Sequence, residues 1–569
     1  MIYYNSWDKK CRSVFGAVTK GTEITFTVFT DNCFEGFLCI EDKELQMDKK
    51  DNSYSVTWKA EKCGPVFYYF RLTANNLYTI YIGKGTRENS VFSLVCPALK
   101  HQVTVTQEMP DLPDWYTKGI MYQIFPDRFA KSGDIRQIKE NSHVYNDWNE
   151  IPHYLKNEKD EIEKWDFFGG NFQGICEKLD YLKELNVSVL YLNPIFEATS
   201  NHRYNTADYT KVDPMLGTEE DFDNLIRDAD KRGIKIILDG VFNHVGAESI
   251  YFDKFGSFNS NGACQSENSP YKDWFYFKDY PVDYESWWGV MDLPKLNTEN
   301  DDVRQFICEN VLEKWTKHGL GGWRLDVADE LSDEFLSMIN KSVKKINPDT
   351  VVIGEVWEDA SNKVAYSVQK SYFAKSELDA VMNYPFRDNM VKFLLDGCDA
   401  FYLKNAFMTQ LENYPKRNFM GNFNMLSTHD IARIFTVTGN NVRILEQFVS
   451  ALFIFPGVPC IYYGDEAGLE GGKDPDNRRT YPWGKENKEI YNVYKRYSNL
   501  RANSSVLKDG ETLFDAVDEN IFVVIRQKGN DKIILYLNNS SDEKNFTSPY
   551  TKNSIKITPK GIFTEFATF

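Results

Sequence analysis

The sequence predicts a multidomain α/β protein: a central (β/α)8 TIM barrel with a lid domain inserted after its third strand, an N-terminal β-sandwich and a small C-terminal β domain. Three observations lead there. The middle of the chain alternates short apolar runs with helical periodicity, the pattern of a parallel sheet with crossover helices. Eight such runs occur, the number that closes a barrel. Both ends of the chain instead show short β-rich runs separated by turn residues, without helical periodicity.

At 569 residues the chain has room for several cores. The N-terminal sandwich is assigned to residues 1–113, on runs such as Glu23–Phe29 and Val66–Leu72, with a proline-flanked linker at Pro110–Pro113 closing it. Trp7, Trp58, Tyr68 and Tyr69 in this part are read as sandwich core in preference to a sugar platform. The barrel is assigned to 114–506, with the insert at about 245–299, and the C-terminal β-sandwich to 507–569, on Ile521–Ile525 and Lys532–Leu537.

Within the barrel, strand one is expected at Gly119–Phe125, and the polar segment from Lys131 to Lys164 as a surface loop. A helix marked by Ile175, Leu179, Leu182 and Leu185 leads to strand two at Val187–Pro194. The next helix carries Phe222, Leu225 and Ala229 and stops at Gly233, feeding strand three at Ile234–His244. Residues 245–299 lack periodicity and are too many for an ordinary connection, and they carry Trp274, Phe275, Tyr276, Trp287 and Trp288. They read as a lid. Val303, Ile307, Val311 and Trp315 mark the helix before strand four, which ends Gly321-Gly-Trp-Arg-Leu-Asp326. Strands five to eight fall at Val351–Trp357, near Ala380–Tyr384, up to Met425–Asp430, and at Val458–Glu466.

The formal net charge of −17 and the absence of a basic stripe exclude nucleic acid as the partner. No apolar run of signal-peptide or membrane-spanning length occurs, which predicts a soluble cytoplasmic protein with no membrane attachment. Ten cysteines without paired spacing read as buried thiols, and seven histidines show no metal-ligand spacing.

Four of the expected strands end in a carboxylate: Asp239, Asp326, Glu355 and Asp430. In a barrel all strand C-termini meet at one mouth, and a purely structural barrel gains nothing from gathering like charges there. With His244, Arg324 and His429 interleaved, the set is suited to holding one carboxylate ionised and another protonated. Glycoside cleavage requires that division of labour.

Asp239-Gly-Val-Phe-Asn-His244, Gly322-Trp-Arg-Leu-Asp326, Glu355-Val-Trp357 and Ser427-Thr-His-Asp430 resemble the four conserved regions of the α-amylase superfamily of glycoside hydrolases, in the family's order. The resemblance covers roughly Lys118 to Leu507. Leu293-Pro-Lys-Leu-Asn297, Gly457–Glu466 and Asp474-Pro-Asp-Asn-Arg-Arg479 are similar to the neopullulanase, cyclomaltodextrinase and maltogenic amylase branch, whose members also carry an N-terminal carbohydrate-binding-module-like sandwich. The resemblance implies Asp326 as nucleophile, Glu355 as acid and base, and Asp430 as the third catalytic carboxylate. It implies Arg324 as the residue keeping Asp326 ionised, and Tyr204, Asp239, His244 and His429 as contacts of the sugar at the bond cleaved. Asp474 and Arg478 would lie toward the non-reducing end, and Glu330 and Trp357 on the leaving-group side.

The implied activity is retaining hydrolysis of α-1,4 bonds in maltooligosaccharides, with α-1,6 bonds, cyclodextrins and pullulan left open. A 4-α-glucanotransferase and an exo-acting α-glucosidase share the site and remain alternatives. A non-catalytic carbohydrate-binding barrel is the alternative of another class. No cofactor is implied. The structural Ca²⁺ site of relatives is degraded here, because Phe129-Ala-Lys-Ser-Gly-Asp134 brings Lys131 and Gly169-Gly-Asn171 brings an amide where a carboxylate is expected. Asp329 also departs from the branch, which has Asn there. The resemblance leaves a homodimer open.

Overall fold

The computed structural model describes residues 2–568 except 32, 75–77, 141, 160–161 and 258–260. Eight strands make one parallel sheet: β1 Met121–Ile124, β2 Val189–Leu192, β3 Lys235–Gly240, β4 Gly322–Leu325, β5 Val351–Gly354, β6 Ala380–Val381, β7 Phe423–Met425 and β8 Val458–Tyr462. Their order is β6-β5-β4-β3-β2-β1-β8-β7, and one parallel bridge from Met382 to Phe423 closes the ring. Met121, Val189, Tyr191, Ile237, Ile353 and Val458 pack inside it, while the alternate residues face the surrounding helices.

The strands are shorter than their apolar runs. β3 ends at Gly240, and Val241–His244 have already left the sheet. β6 is only Ala380–Val381, because the Asn383 side chain accepts the Phe386 N–H and starts a helix at Tyr384. The helix before β4 runs Asp301–Gln305, Phe306–Leu312 and Glu313–Thr316, with its middle segment in π geometry. Val303, Ile307, Val311 and Trp315 are all buried. A strict spacing of four drifts around a 3.6-residue turn, and the wider π turn keeps these residues on one side.

The segment 131–164 is more than a loop. Ser142–Val144, Leu155–Lys156 and Ile162–Phe167 form a small sheet beside the barrel mouth. These strands are too short and polar to show an apolar period. The insert divides its aromatics: Trp274 and Phe275 are buried in the main core, Trp274 against Phe306 and Phe275 against Phe252, whereas Trp288 is 80% exposed. The helix carrying Phe222 spans Glu219–Asp230, and Gly233 follows in the turn with φ 72°.

The N-terminal part holds a four-stranded and a seven-stranded sheet. Strict in–out alternation along Glu23–Thr30 and Gly64–Ala74 packs Ile24, Phe26, Tyr68 and Phe70 between them. Trp58 and Tyr68 are core residues, while Trp7 Nε1 donates to Glu412 Oε2 of the barrel at 3.0 Å. Toward the C terminus, a four-stranded sheet (Glu511–Asp518, Ile521–Lys528, Asp531–Asn538, Ile562–Thr568) is accompanied by a two-stranded one. All ten cysteines are free thiols, but only Cys11, Cys33, Cys39, Cys308 and Cys460 are buried, and Cys96 is exposed. Among the described residues no helix is long and apolar enough to cross a membrane.

Candidate active site

Arg324, the third residue of β4, is fully buried and organises the mouth. Its Nη1 donates to Asp239 Oδ1 at 2.8 Å and to Asp326 Oδ1 at 2.7 Å. Its Nη2 lies 3.1 Å from Glu355 Oε2, within ion-pair range but not aligned for a hydrogen bond. One guanidinium therefore meets carboxylates from three adjacent strands: parallel register sets Asp239 level with Arg324, and Glu355 level with Asp326 two residues further on.

Val327, directly after Asp326, sits at φ 40°, ψ 54°. A β-branched residue in the left-handed region is strained, at a cost of about 1–3 kcal/mol. The turn points its N–H at Glu355 Oε2, 2.8 Å away, and Trp357 Nε1 donates to the other oxygen, Oε1, at 3.0 Å. Trp357 in turn stacks on Tyr384, with centroids 4.1 Å apart.

A hydrogen-bond relay runs along the other side. Gln123 Nε2 lies 3.0 Å from His429 Nδ1 and donates to Asn193 Oδ1 at 3.0 Å. That contact leaves the His429 proton on Nε2, which is 2.6 Å from Tyr204 Oη and 3.1 Å from Asp430 Oδ2. Tyr204 donates to Asp239 Oδ2 at 2.7 Å, and Tyr191 reaches the same oxygen at 2.6 Å. The Tyr204 and His429 rings lie nearly parallel, their planes 4° apart and their centroids 5.2 Å apart. His244 stacks on Trp287 with centroids 5.5 Å apart, and its Nε2 is buried without a partner among the described residues. Such an atom suits a ligand hydroxyl.

Burial pushes Asp326 up, Arg324 pulls it down, and Glu355 and Asp239 push it up again; the net is a raised value. Asp239 is raised by burial against the pull of Arg324 and its two tyrosines. Asp430 is raised to about 7, by burial first and Glu355 second. Its side chain keeps 30% exposure, so water tempers that shift. Gathering these acids makes the mouth bind more protons than isolated carboxylates would. Burial lowers His244 to about 4, and burial beside Arg478 and Arg324 lowers His429, so both rings are neutral near pH 7.

The remaining expected residues flank this centre on two sides. Arg478 Nη1 pairs with Asp474 at 2.9 Å, its Nε donates to the His429 carbonyl at 2.9 Å, and Tyr154, just before the small sheet's strand Leu155–Lys156, donates to Asp474. On the opposite side Glu330 Oε2 accepts from Lys295 Nζ at 2.7 Å, while Trp288 Nε1 (3.3 Å) and the Tyr366 hydroxyl reach Oε1. Burial raises Glu330, but Lys295 and Tyr366 hold it below its ordinary value. Asp329 points away from this contact and takes Lys363 Nζ at 3.1 Å and the Tyr372 hydroxyl.

All twelve expected residues thus lie in one connected region. Sequence reasoning missed Gln123, Tyr191, Asn193, Lys295 and Tyr154. Gln123 carried a signal, being a polar residue inside the apolar run of β1.

Over residues 123–492 the chain matches the family described as alpha amylase, catalytic domain. The chain belongs to the alpha-amylase family. It is 36% identical over 563 residues to an amylopullulanase of Thermoanaerobacterium saccharolyticum, covering 86% of this chain but 43% of the relative, so it spans less than half of that protein's length. It is 34% identical over 512 residues to a cyclomaltodextrinase of Geobacillus thermopakistaniensis, covering 86% of this chain and 81% of that one. A solved cyclomaltodextrinase structure superposes with a TM-score of 0.71 at 28% identity, over 100% of this chain and 99% of its own.

Proposed function

We propose that the chain is a retaining glycosidase that cleaves α-1,4-glucosidic bonds of short maltooligosaccharides. The observation that carries the reading is the single guanidinium of Arg324 shared by Asp326 and Glu355. It keeps the two carboxyls close, as double displacement asks (about 5–5.5 Å apart). Asp326 attacks the anomeric carbon, and a C–O ester bond forms as the glycosidic C–O bond breaks. Glu355 gives its proton to the departing sugar oxygen, then takes one from the water that cleaves the ester. The N–H groups of Val327 and Trp357 hold the Glu355 carboxyl in place for both steps. Asp430, Asp239, His244 and His429 hold the hydroxyls of the reacting sugar over Tyr204. Asp474 and Arg478 take the non-reducing side, and Glu330 and Trp357 the leaving group.

Asp326→Asn and Glu355→Gln should each lower kcat about 10³-fold or more while the chain stays folded, and the first product should be the α-anomer. Near-wild-type turnover in either variant, or a β-anomer by rapid NMR, sinks the assignment. A second reading, glycosyl transfer to another sugar, draws on the exposed aromatics Trp288, Tyr366 and Trp357, which offer a sugar acceptor faces to stack on. Product analysis with maltotriose, a cyclodextrin and pullulan separates the two.

The reaction drawn here needs no cofactor. We also propose that it is independent of Ca²⁺. Asn171 Oδ1 already accepts from Gly174 N (2.8 Å) and Ser132 N (3.3 Å), while its Nδ2 donates to the Ser132 carbonyl at 2.7 Å. The side chain that would have to be a ligand instead caps a helix and clamps the loop, and Lys131 beside it is exposed. These residues do not fit a hard cation seeking six to eight oxygens. EDTA should change neither activity nor melting temperature; a loss restored by added Ca²⁺ would overturn this.

A further inference from the structure

The segment between β1 and the helix Phe172–Glu177 builds a wall along one side of the mouth. It leaves the barrel from β1, whose neighbours are β8 and β2, and it grips the loops that follow both. After β2, Asn201 Nδ2 donates to Asp166 Oδ1 at 2.7 Å, and His202 meets Trp165 edge-on with centroids 4.8 Å apart. After β8, the Tyr481 carbonyl accepts from Trp148 Nε1 at 2.8 Å, and Asp474 accepts from the Tyr154 hydroxyl. Buried Arg128 fastens the base, with Nη2 on Asp166 Oδ2 at 3.1 Å and Nη1 on the Arg478 carbonyl at 2.9 Å. Polar contacts to both flanks, the basal ones buried, hold the wall in one position.

Two lines of side chains run from the reacting centre to this wall, and both end at Tyr154. One is a row of rings, with centroids 5.9 Å apart from Tyr204 to His202, 4.8 Å from His202 to Trp165 and 6.0 Å from Trp165 to Tyr154. The other is a row of charges. Asp430 Oδ1 lies 3.7 Å from Arg478 Nη2, Arg478 Nη1 lies 2.9 Å from Asp474, and Asp474 holds the Tyr154 hydroxyl. At the inner end, His429 Nε2 joins Tyr204 to Asp430. A glucan lying between the rows sets sugar faces against the rings and hydroxyls against the charges. At the outer end, the contact of Tyr154 with Asp474 spans the passage. The leaving-group side differs: Trp288, Tyr366 and Trp357 are 80%, 67% and 45% exposed, so a chain can continue outward past them.

We propose that Tyr154 closes the donor end of the cleft, so that the site selects glucans by a free non-reducing end and releases one short product of fixed length. Selection here works by obstruction. A chain continuing past Tyr154 has to break its contact with Asp474 and displace a wall held on both flanks. The inference rests on the glucan-cleaving reading of the mouth and adds to it the end of the substrate that is recognised.

The test compares maltoheptaose with the same chain carrying an ethylidene bridge across O4 and O6 of its non-reducing glucose. The bridge adds bulk at the end that meets Tyr154 and leaves every glucosidic bond intact. In the full-length wild-type chain, kcat/KM for the bridged substrate should be about 50-fold lower. A cyclodextrin, a ring without an end, should be turned over as slowly. Early hydrolysis of the free chain should give one short sugar and the matching remainder. Tyr154→Ala, its fold checked by circular dichroism, should bring the bridged and free chains within about fivefold and mix the product lengths. A folded variant that keeps the wild-type gap overturns the proposal, as does rapid cyclodextrin turnover by the wild type. The wild-type comparison decides even where the variant does not fold. Bridged and free chains cleaved alike, within about threefold, overturn the Tyr154 assignment and leave the reading of the mouth standing; cleavage of neither overturns both.

Discussion

At the scale of single residues, Asp430 links the site to stability. Its carboxyl is raised from 3.8 to about 7 in the folded chain. Between those values the folded state keeps a proton that the unfolded state has released. Stability therefore falls as pH rises from about 4 to about 7, then levels off. Asp430→Asn removes this dependence, so the variant should melt above wild type by about 3 °C at pH 8, with a smaller gap at pH 5. Scanning calorimetry at the two pH values decides it, and a gap that widens toward pH 5 refutes the assignment. Asp465, raised to about 6, and Glu466, raised to about 7, are pushed the same way by burial, so a residual slope stays in the variant. The acidic centre was legible in the sequence because an acid at the end of an apolar strand has one economical explanation. Tyr191 and Asn193 gave no such signal. A tyrosine on a strand is equally good core, and only the register of β2 against β1 and β3 turns its hydroxyl toward Asp239.

At the scale of elements, the leaving-group side is shaped by a hairpin, Val364–Ala365 with Val368–Gln369, whose two turn residues Tyr366 and Ser367 both have positive φ (50° and 65°). That is the two-residue turn matching the twist of paired strands. Asp329 anchors the segment around it through Lys363 and Tyr372, and Tyr366 at its tip reaches Glu330. Asp329→Asn should release the tip, raising KM for maltotetraose about 3–10-fold while kcat stays within twofold, as loss of uniform binding does. A kcat loss of about tenfold at unchanged KM would place Asp329 closer to the chemistry than the structure does. The sequence flagged Asp329 as a departure but not its partners, since a hairpin with two-residue strands has no periodicity to read. The sheet in 131–164 escaped for the same reason, whereas the long alternating strands of the N-terminal sandwich were plain.

For the whole molecule, the helix Ala400–Asn413 is the common wall. Its Glu412 takes Trp7 and Arg12 from the N-terminal part, in the segment between the strands Ile2–Tyr3 and Val18–Thr19, its Lys404 pairs with Asp515 at 2.7 Å, and its Phe407 packs on Phe514 and Phe522 of the C-terminal sheet. Deleting residues 1–113 would strip a nearly buried carboxylate of its partners, a change of about 3–5 kcal/mol. The shortened chain should melt about 10 °C lower, or collect in the insoluble fraction; unchanged melting would show the three parts to be independent. The barrel itself is joined unevenly. Every other neighbouring pair of strands is stitched over at least two residues, but β6 meets β7 through one backbone bridge, Met382–Phe423, splinted by side chains: Asn383 Nδ2 donates to Asn424 Oδ1 at 2.8 Å and the Val381 N–H to Asn422 Oδ1 at 3.3 Å. A hoop yields first at its thinnest joint. Asp430 hangs from the stave on one side of that joint and Glu355 from the second stave on the other, so the distance between these two carboxyls is set across the most lightly stitched joint of the hoop.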